Sequence, residues 1–164
     1  MITAYFDGLC EPDNPGGVEC YGFLIKNQGM LIHEGWGKNN EGPGATNNVA
    51  EYVALGKALR WISDSLEPKE DIEIIGDSKL VVSQINKAWA CRAPHLIKLR
   101  DRCFELITEI EVKFKVKITF KWVPREGNEE ADALSNKAYE EATGQKVIPR
   151  DKKKKAYARW SRRN

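Results

Sequence analysis

The sequence has little of what zinc sites, histidine catalysis and membrane insertion require. Its 164 residues include two histidines and four cysteines, and no two cysteines form a Cys-x-x-Cys pair, so the spacing of a zinc site is absent. No run of about 18 apolar residues is present, which excludes a transmembrane helix. The first residues, MITAYFDG, lack the pattern of a secretory signal. We therefore expect a cytoplasmic protein with no membrane contact and with reduced, buried cysteines.

The charges are distributed unevenly along the chain. The segment from Arg150 to Asn164 contains eight Lys or Arg and one acid, a balance of +7, whereas the other residues hold 18 basic and 23 acidic residues, a balance of −5. We predict one domain at residues 1–148 and a basic carboxyl-terminal tail at residues 149–164. Such a tail is typical of a protein that binds a polyanion, although it is also compatible with a solvated segment that only improves solubility. Tyr157 and Trp160 favour nucleic acid, since aromatic rings stack on bases.

The hydrophobic periodicity predicts the order strand, strand, strand, helix, strand, helix, helix, strand, helix. The segments at 20–26 and 30–37 flank a predicted hairpin turn. The alternation of residues 112–123 predicts a strand with one buried face, formed by Val112, Phe114, Val116, Ile118, Phe120 and Trp122. Ser78 is predicted to open one helix, Asn128 to cap the last helix and Gly144 to end it. A three-stranded antiparallel meander followed by β–α crossovers predicts an α/β fold, with a mixed five-stranded sheet flanked by about four helices.

Glu51 lies on the apolar stripe of the first predicted helix, in line with Leu55, Ala58 and Ile62. Two interpretations are open. In a capping box, Asn48 would cap the helix and Glu51, three residues later, would return a hydrogen bond to it. Alternatively, Glu51 points towards a buried functional site.

Four acids occupy the ends of predicted elements. Asp7 and Asp77 end strands, and Glu51 and Asp132 lie in the first turns of helices, which is where open α/β sheets place their ligand sites. Each acid alone has a structural explanation, as a turn former, a cap or a partner of a helix dipole. Four unpaired carboxylates in one place would repel each other, and a hard divalent cation such as Mg²⁺ removes that repulsion. Two such ions, about 3.5–4 Å apart, would stabilise the attacking and leaving oxygens of a phosphodiester displacement.

Five motifs occur in an order that resembles type 1 ribonuclease H: YFDG, DNPGG, TNNVAEY, GDSKLVV and WVPREGNEEADALSNKA. The resemblance covers residues 2–142. It implies an endonuclease that cleaves the RNA strand of RNA–DNA hybrids and leaves 5′-phosphate and 3′-hydroxyl ends. It also implies a pair of Mg²⁺ ions, with Mn²⁺ as an alternative, held by the catalytic residues Asp7, Glu51, Asp77 and Asp132. In the family, Glu51 would also help to order the attacking water.

The resemblance assigns substrate recognition to three asparagines. RNA is distinguished from DNA by its 2′-hydroxyl in a wide, shallow minor groove, and amides can both donate to it and accept from it. The positions of Asn14, Asn47 and Asn48 lie along that groove in the family, although Asn14 could instead form a turn and Asn48 a cap. Double-stranded RNA is a second candidate substrate for such a groove, and we expect a monomer.

Three features depart from the family pattern. Many relatives carry a histidine before the last helix that is thought to help product leave, and here Arg125 in PREG is the candidate replacement, unless it is a plain surface arginine. A basic helix that some bacterial relatives insert after the GDS helix is missing. Contacts to the DNA strand are therefore expected from elsewhere, with candidates Lys87, Trp89 and Arg92. The third departure is the basic tail, an addition to the family core, which we expect to supply the missing electrostatic contacts, with candidates Lys153 and Lys154.

Two other functions remain open at this point. The chain could be a module that binds hybrid or structured RNA without cutting it, which the loss of one carboxylate would indicate. It could also be another nuclease of the same fold, such as a junction resolvase, but the asparagines that read hybrids argue against that.

Overall fold

The alternating and β-branched segments of the chain form one five-stranded sheet. The computed structural model describes residues 1–163. The strands follow the order β3-β2-β1-β4-β5 across the sheet; β1, β2 and β3 are antiparallel, and β4 and β5 run parallel to β1. This arrangement confirms the predicted mixed sheet. The strand bounds are β1 (Ile2–Glu11), β2 (Val18–Asn27), β3 (Met30–Glu41), β4 (Ile72–Gly76) and β5 (Ile118–Trp122).

Helices cover both faces of the sheet. The first and third helices pack on one face over the main core, and the fourth packs on the other face against β1, β2 and β3. The helix bounds are α1 (Asn47–Ser65), α2 (Lys79–Ile85), α3 (Pro94–Phe114), α4 (Glu129–Thr143) and α5 (Arg150–Ser161). The fifth helix, in the basic tail, was not predicted, because it has no apolar stripe. In the part of the chain described, no helix is long and apolar enough to cross a membrane.

The strand predicted at residues 112–123 is wrong in its first half. α3 continues to Phe114, Lys115 ends it in the left-handed conformation with φ of 56°, and β5 begins at Ile118. Val112 is 72% exposed and Trp122 is 43% exposed, although the alternation predicted both to be buried. The alternation misled because Phe114 also continues the helical spacing of Ile110, so both periods fit this short segment.

The helix caps differ in part from the prediction. The Thr46 side chain caps α1 by accepting from the Val49 N–H at 3.2 Å, so Asn48 is not the cap and Glu51 is not part of a capping box. Asn48 instead lies in the first turn of α1, where its amide is half-buried. Ser78 caps α2 by accepting from the Val81 N–H, as predicted. The capping box is therefore excluded as the reason why Glu51 faces inwards.

The cap of α4 is only half as predicted. Gly144 ends α4 in the left-handed conformation, as predicted, with φ of 71°. Asn128 precedes the helix, as predicted, but its side chain makes no capping hydrogen bond. The Asn128 amide instead donates hydrogen bonds to Phe6 in β1 and to Asp77 after β4.

Candidate active site

Two glycines allow helices from both faces of the sheet to approach Asp7. A Cβ on Gly8 would lie 2.2 Å from the Ala50 carbonyl carbon and 2.3 Å from the Glu51 nitrogen. Gly22 is the partner of Asp7 across the β1–β2 ladder, and a Cβ there would lie 2.6 Å from the Ser135 nitrogen. Because both side chains are absent, α1 and α4 approach the two faces of the sheet beside Asp7.

The structure brings three of the four acids together. Asp7, Glu51 and Asp77 each offer a carboxylate oxygen, and these oxygens all lie within 4.8 Å of one another. Asp77 directly follows β4, which runs parallel to β1, so its side chain lies beside that of Asp7. Asp7 and Glu51 are buried, and Asp77 is half-buried. The prediction that Asp7 ends its strand is wrong, because β1 continues to Glu11, and Asp7 lies one residue beyond the part of β1 that pairs with β4. Glu51 is the fifth residue of α1 and so lies after the first turn, in which the sequence had predicted it. The cluster is therefore assembled from the middle of β1, the residue after β4 and the second turn of α1.

Neighbouring polar groups orient two of these carboxylates. The Ser135 hydroxyl on α4 donates to Asp7 Oδ2 at 2.5 Å and also lies 2.9 Å from the Asp132 carbonyl oxygen. The Asn128 amide donates to the Phe6 carbonyl at 2.8 Å and lies 3.5 Å from Asp77 Oδ1. Asn128 thus links the middle of β1 to the residue after β4, whereas sequence patterns had indicated only a cap. Ser135 lies three residues after Asp132 and so on the same side of α4. This spacing is the one feature of the sequence that could have indicated its contact with Asp7.

Asp132 lines the same cavity but stands outside the tight cluster of three. One of its carboxylate oxygens accepts from Arg125 Nη2 at 3.0 Å, and the other accepts from the Asn136 amide at 3.4 Å. Arg125 lies in a short 3₁₀ turn, Arg125–Gly127, directly before α4, and its side chain is 44% exposed. The guanidinium therefore reaches the site while it remains accessible to solvent.

Burial and mutual repulsion make the ionised state of the cluster unfavourable. Burial, and then the charge of Asp77, raise the pKa of Asp7 to about 8, although the hydrogen bond from Ser135 opposes this shift. Burial raises the pKa of Glu51 well above its usual value, and the charges of Asp7 and Asp77 add to that effect. A nearby cation would lower the pKa of both carboxyl groups, because it stabilises the charged form of each.

The donor set fits a hard divalent cation. Glu51 Oε2 is buried and has no hydrogen-bond partner among residues 1–163, which is a costly arrangement unless a ligand completes it. The three clustered side chains supply oxygen atoms alone, and oxygen is what Mg²⁺ and Mn²⁺ prefer over Zn²⁺-type nitrogen and sulfur sets. A cation would explain why a carboxylate beside two others has a buried oxygen without a partner.

The cluster opens into a cavity of about 580 Å³. Its walls include the four acids, Arg125 and Asn47, and also residues 147–151, which comprise the end of the body and the start of the tail. The tail is held there by an ion pair between Lys153 on α5 and Glu11 at the end of β1. No sequence pattern predicted that the tail would lie against the cavity.

Of the three asparagines predicted to bind substrate, Asn47 lines this cavity and Asn14 is bonded to it. The Asn14 side-chain oxygen accepts from the Asn47 backbone N–H at 3.0 Å, so the loop after β1 is joined to the start of α1. A buried acid that sequence patterns did not single out also supports this region. Glu19 accepts from the Asn39 amide at 2.5 Å and from the Thr46 backbone N–H at 3.0 Å.

The other candidate substrate residues lie away from the cluster. Lys87, Trp89 and Arg92 are exposed in the connection between α2 and α3, residues 86–93, which contains no inserted helix. None of the three lines the catalytic cavity. In the tail, Lys154 is exposed, whereas Lys153 is already paired with Glu11.

Comparison with known proteins places the chain in a family. Residues 13–138 match the family model described as reverse transcriptase-like. A ribonuclease H of Francisella philomiragia is 33% identical over 159 residues, and the match covers 87% of this chain and 93% of the relative. The chain belongs to the type 1 ribonuclease H family. A ribonuclease HI of Halobacterium salinarum is 38% identical over 141 residues, which cover 86% of this chain but 65% of that protein. The chain thus spans less than two thirds of the length of this second relative.

The fold agrees with that of solved ribonucleases H. The crystal structure of LC11 ribonuclease H1, in complex with an RNA/DNA hybrid, superposes with a TM-score of 0.72 at 30% identity, covering 87% of this chain and 99% of that chain. The family assignment that the five motifs predicted is therefore confirmed, as is the ribonuclease H fold.

Proposed function

We propose that this ribonuclease H-family protein hydrolyses the RNA strand of RNA–DNA hybrids and leaves 5′-phosphate and 3′-hydroxyl ends. One observation carries the proposal: Asp7, Glu51 and Asp77 converge within 4.8 Å and leave a buried oxygen of Glu51 without a partner. Relatives named ribonuclease H, and one solved with a bound hybrid, support the same reaction. The catalytic domain in this proposal is residues 1–148, and the tail is residues 149–164.

The cluster would hold the divalent cations, for which we propose two Mg²⁺ ions with Mn²⁺ as a substitute. When bound, such ions neutralise charge on the phosphodiester and stabilise its attacking and leaving oxygens. Asp7, Glu51 and Asp77 are the ligands in this proposal, and Asp132 completes the set from the cavity wall. No histidine, cysteine or serine nucleophile lies in this scheme.

The remaining polar residues prepare the site for substrate. Ser135 and Asn128 fix the directions of the Asp7 and Asp77 carboxylates, and such orientation improves both metal affinity and rate. Arg125, held by Asp132, presents a cation to the phosphate that departs with the product. Asn14, Asn47 and Asn48 present amides to the 2′-hydroxyls of the RNA strand. One chain supplies all these groups, which supports a monomer as the active form.

A panel of labelled substrates tests this function. The protein is incubated with a strand-labelled RNA–DNA hybrid, single-stranded RNA, double-stranded RNA and double-stranded DNA, each with Mg²⁺, Mn²⁺ or EDTA. We expect metal-dependent cutting of the RNA strand of the hybrid, with 3′-hydroxyl ends, and no cutting of DNA. Cutting of double-stranded RNA as well would widen the substrate range. Binding of the hybrid without any cutting would contradict the proposal and identify a binding module.

A further inference from the structure

Helix α5 is a cationic helix that is almost entirely exposed to solvent. None of its 12 residues is buried, and Lys153 and Ala158 are the two that are half-buried. An amphipathic helix of a globular protein normally buries an apolar stripe. The ion pair of Lys153 with Glu11 is one contact that joins α5 to the sheet.

Two aromatic side chains lie on the face of α5 that the ion pair anchors. Lys153, Tyr157 and Trp160 follow one another at spacings of four and three residues, which places them on one side of the helix. The two rings lie 6.0 Å apart with an interplanar angle of 32°. Tyr157 is nevertheless 70% exposed and Trp160 is 61% exposed. This anchored face thus presents two large aromatic surfaces to solvent.

The helix starts at the wall of the catalytic cavity. Arg150 and Asp151, its first residues, line that cavity together with Asp7 and Glu51. A nucleic acid that leaves the cavity on this side therefore meets a helix that carries a strong positive charge. The positive charge of α5 alone would attract any nucleic-acid strand, whether it is paired or unpaired.

The rings favour unpaired bases over duplex. In a duplex each base is covered by its neighbours, whereas a single strand can stack its bases on exposed aromatic rings. The distribution of charge argues against a lipid surface, because Lys152, Lys153, Lys154 and Lys155 are consecutive and so point around the whole helix. A membrane-bound helix instead needs one continuous apolar face.

We infer that α5 binds single-stranded nucleic acid that continues from the hybrid in the active site, so that the preferred substrate is a hybrid with a single-stranded extension. Tyr157 and Trp160 stack on the unpaired bases, and the exposed lysines and arginines contact the phosphates. The 12 residues of α5 span about 18 Å, which is the length of roughly five nucleotides. This inference rests on the proposed function, since it places the hybrid in the catalytic cavity.

Equilibrium binding in EDTA tests the inference without any cleavage. Blunt hybrids are compared with hybrids that carry extensions of two or ten nucleotides at each of the four possible ends. For the unaltered chain, we expect the ten-nucleotide extension at one end to tighten binding roughly tenfold over the blunt hybrid. The two-nucleotide extension should give less, because it does not reach both rings. Equal affinity for blunt and extended hybrids would overturn the inference.

Two double variants identify the role of the rings. Tyr157→Ala with Trp160→Ala should abolish the ratio of extended to blunt affinity, whereas Tyr157→Phe with Trp160→Phe should keep it, because phenylalanine retains a face for stacking. A ratio that survives in the alanine variant would refute the inference. If the alanine variant kept this ratio and lost binding to phosphatidylserine vesicles, the rings would serve membrane binding instead, and the inference would also be refuted. Cutting of blunt hybrid by the unaltered chain with Mg²⁺ reports on the proposed function separately.

Discussion

The Ser135 hydroxyl donates a hydrogen bond of 2.5 Å to Asp7 Oδ2, and so connects α4 to the acid at the centre of the carboxylate cluster. This bond lowers the pKa of Asp7 against the stronger effects of burial and of Asp77. Ser135 is itself fully buried. It therefore stabilises the charged form of Asp7, which is the form that binds a cation.

Replacement of Ser135 by alanine should weaken metal binding. Residues that orient metal ligands typically contribute 10- to 100-fold to metal affinity or activity. We expect Ser135→Ala to raise the Mg²⁺ concentration for half-maximal cleavage roughly tenfold, with hybrid binding retained in EDTA. Ser65→Ala, at an exposed position at the end of α1, is the matched control. An unchanged Mg²⁺ titration in Ser135→Ala would show that the bond is dispensable.

The metal-free protein should lose stability as pH rises towards 8. The folded-state pKa of Asp7 is raised from 3.8 to about 8, so its contribution is fully present below pH 4 and is lost as pH rises through the folded-state value. Thermal unfolding in EDTA between pH 5 and pH 9 measures this. We expect Asp7→Asn to flatten the decline, and saturating Mg²⁺ to oppose it in the unaltered chain.

The control for this pH dependence is Asp13→Asn, at an exposed position in the loop after β1. It should decline with pH like the unaltered chain. If Asp7→Asn and Asp13→Asn gave the same pH dependence in EDTA, the repulsion at Asp7 would not be a source of instability.

Arg125 should act on product release. Its guanidinium is held by Asp132 at 3.0 Å and stays 44% exposed, so it can contact a departing phosphate. We expect Arg125→Ala to reduce multiple-turnover cleavage severalfold more than single-turnover cleavage. Arg60→Ala, which breaks an exposed ion pair on α1, should change neither. Equal slowing of both rates in Arg125→Ala would instead assign the arginine to the chemical step or to binding.

The tail should contribute to the salt dependence of hybrid binding. The segment from Arg150 onwards carries a balance of +7, and phosphate contacts release counterions in proportion to their number. A chain that ends at Pro149 should bind hybrid more weakly, with a shallower slope of log affinity against log salt. Lys69→Ala, at an exposed position on the body, should leave the slope unchanged. Identical slopes for the full and shortened chains would exclude the tail from hybrid binding.

The cluster was predictable because Asp7 and Asp77 belong to neighbouring parallel strands, where topology decides proximity. Asp7 lies one residue beyond the part of β1 that pairs with β4, Asp77 directly follows β4, and Glu51 lies in the helix that packs over β1, so the element order brings them together. The partners of these acids were not predictable in the same way. Ser135 and Asn128 reach Asp7 and Asp77 through side-chain directions that depend on how closely α4 approaches the sheet at Gly22.

The wrong predictions fall where short sequence patterns fit more than one local structure, or where no pattern is present. Thr46 caps α1 in place of Asn48, because both residue types suit the position and the loop held by Glu19 decides which of them precedes the helix. Residues 112–114 fit the hydrophobic period of a strand and that of a helix, and in the structure they continue α3. Helix α5 was missed because it has no apolar stripe for periodicity to detect.

Cleavage by charge-neutral variants of the cluster decides whether Asp7 and Glu51 hold the catalytic metal. Asp7→Asn and Glu51→Gln keep the shape of each side chain and remove its negative charge. We measure single-turnover cleavage of a strand-labelled hybrid with Mg²⁺, and hybrid binding in EDTA, for both variants. We expect each variant to bind hybrid like the unaltered chain, whereas cleavage should fall about a thousandfold or more, because the metal-dependent step is lost. Retained turnover in either variant would contradict the assignment of these carboxylates as the catalytic metal site.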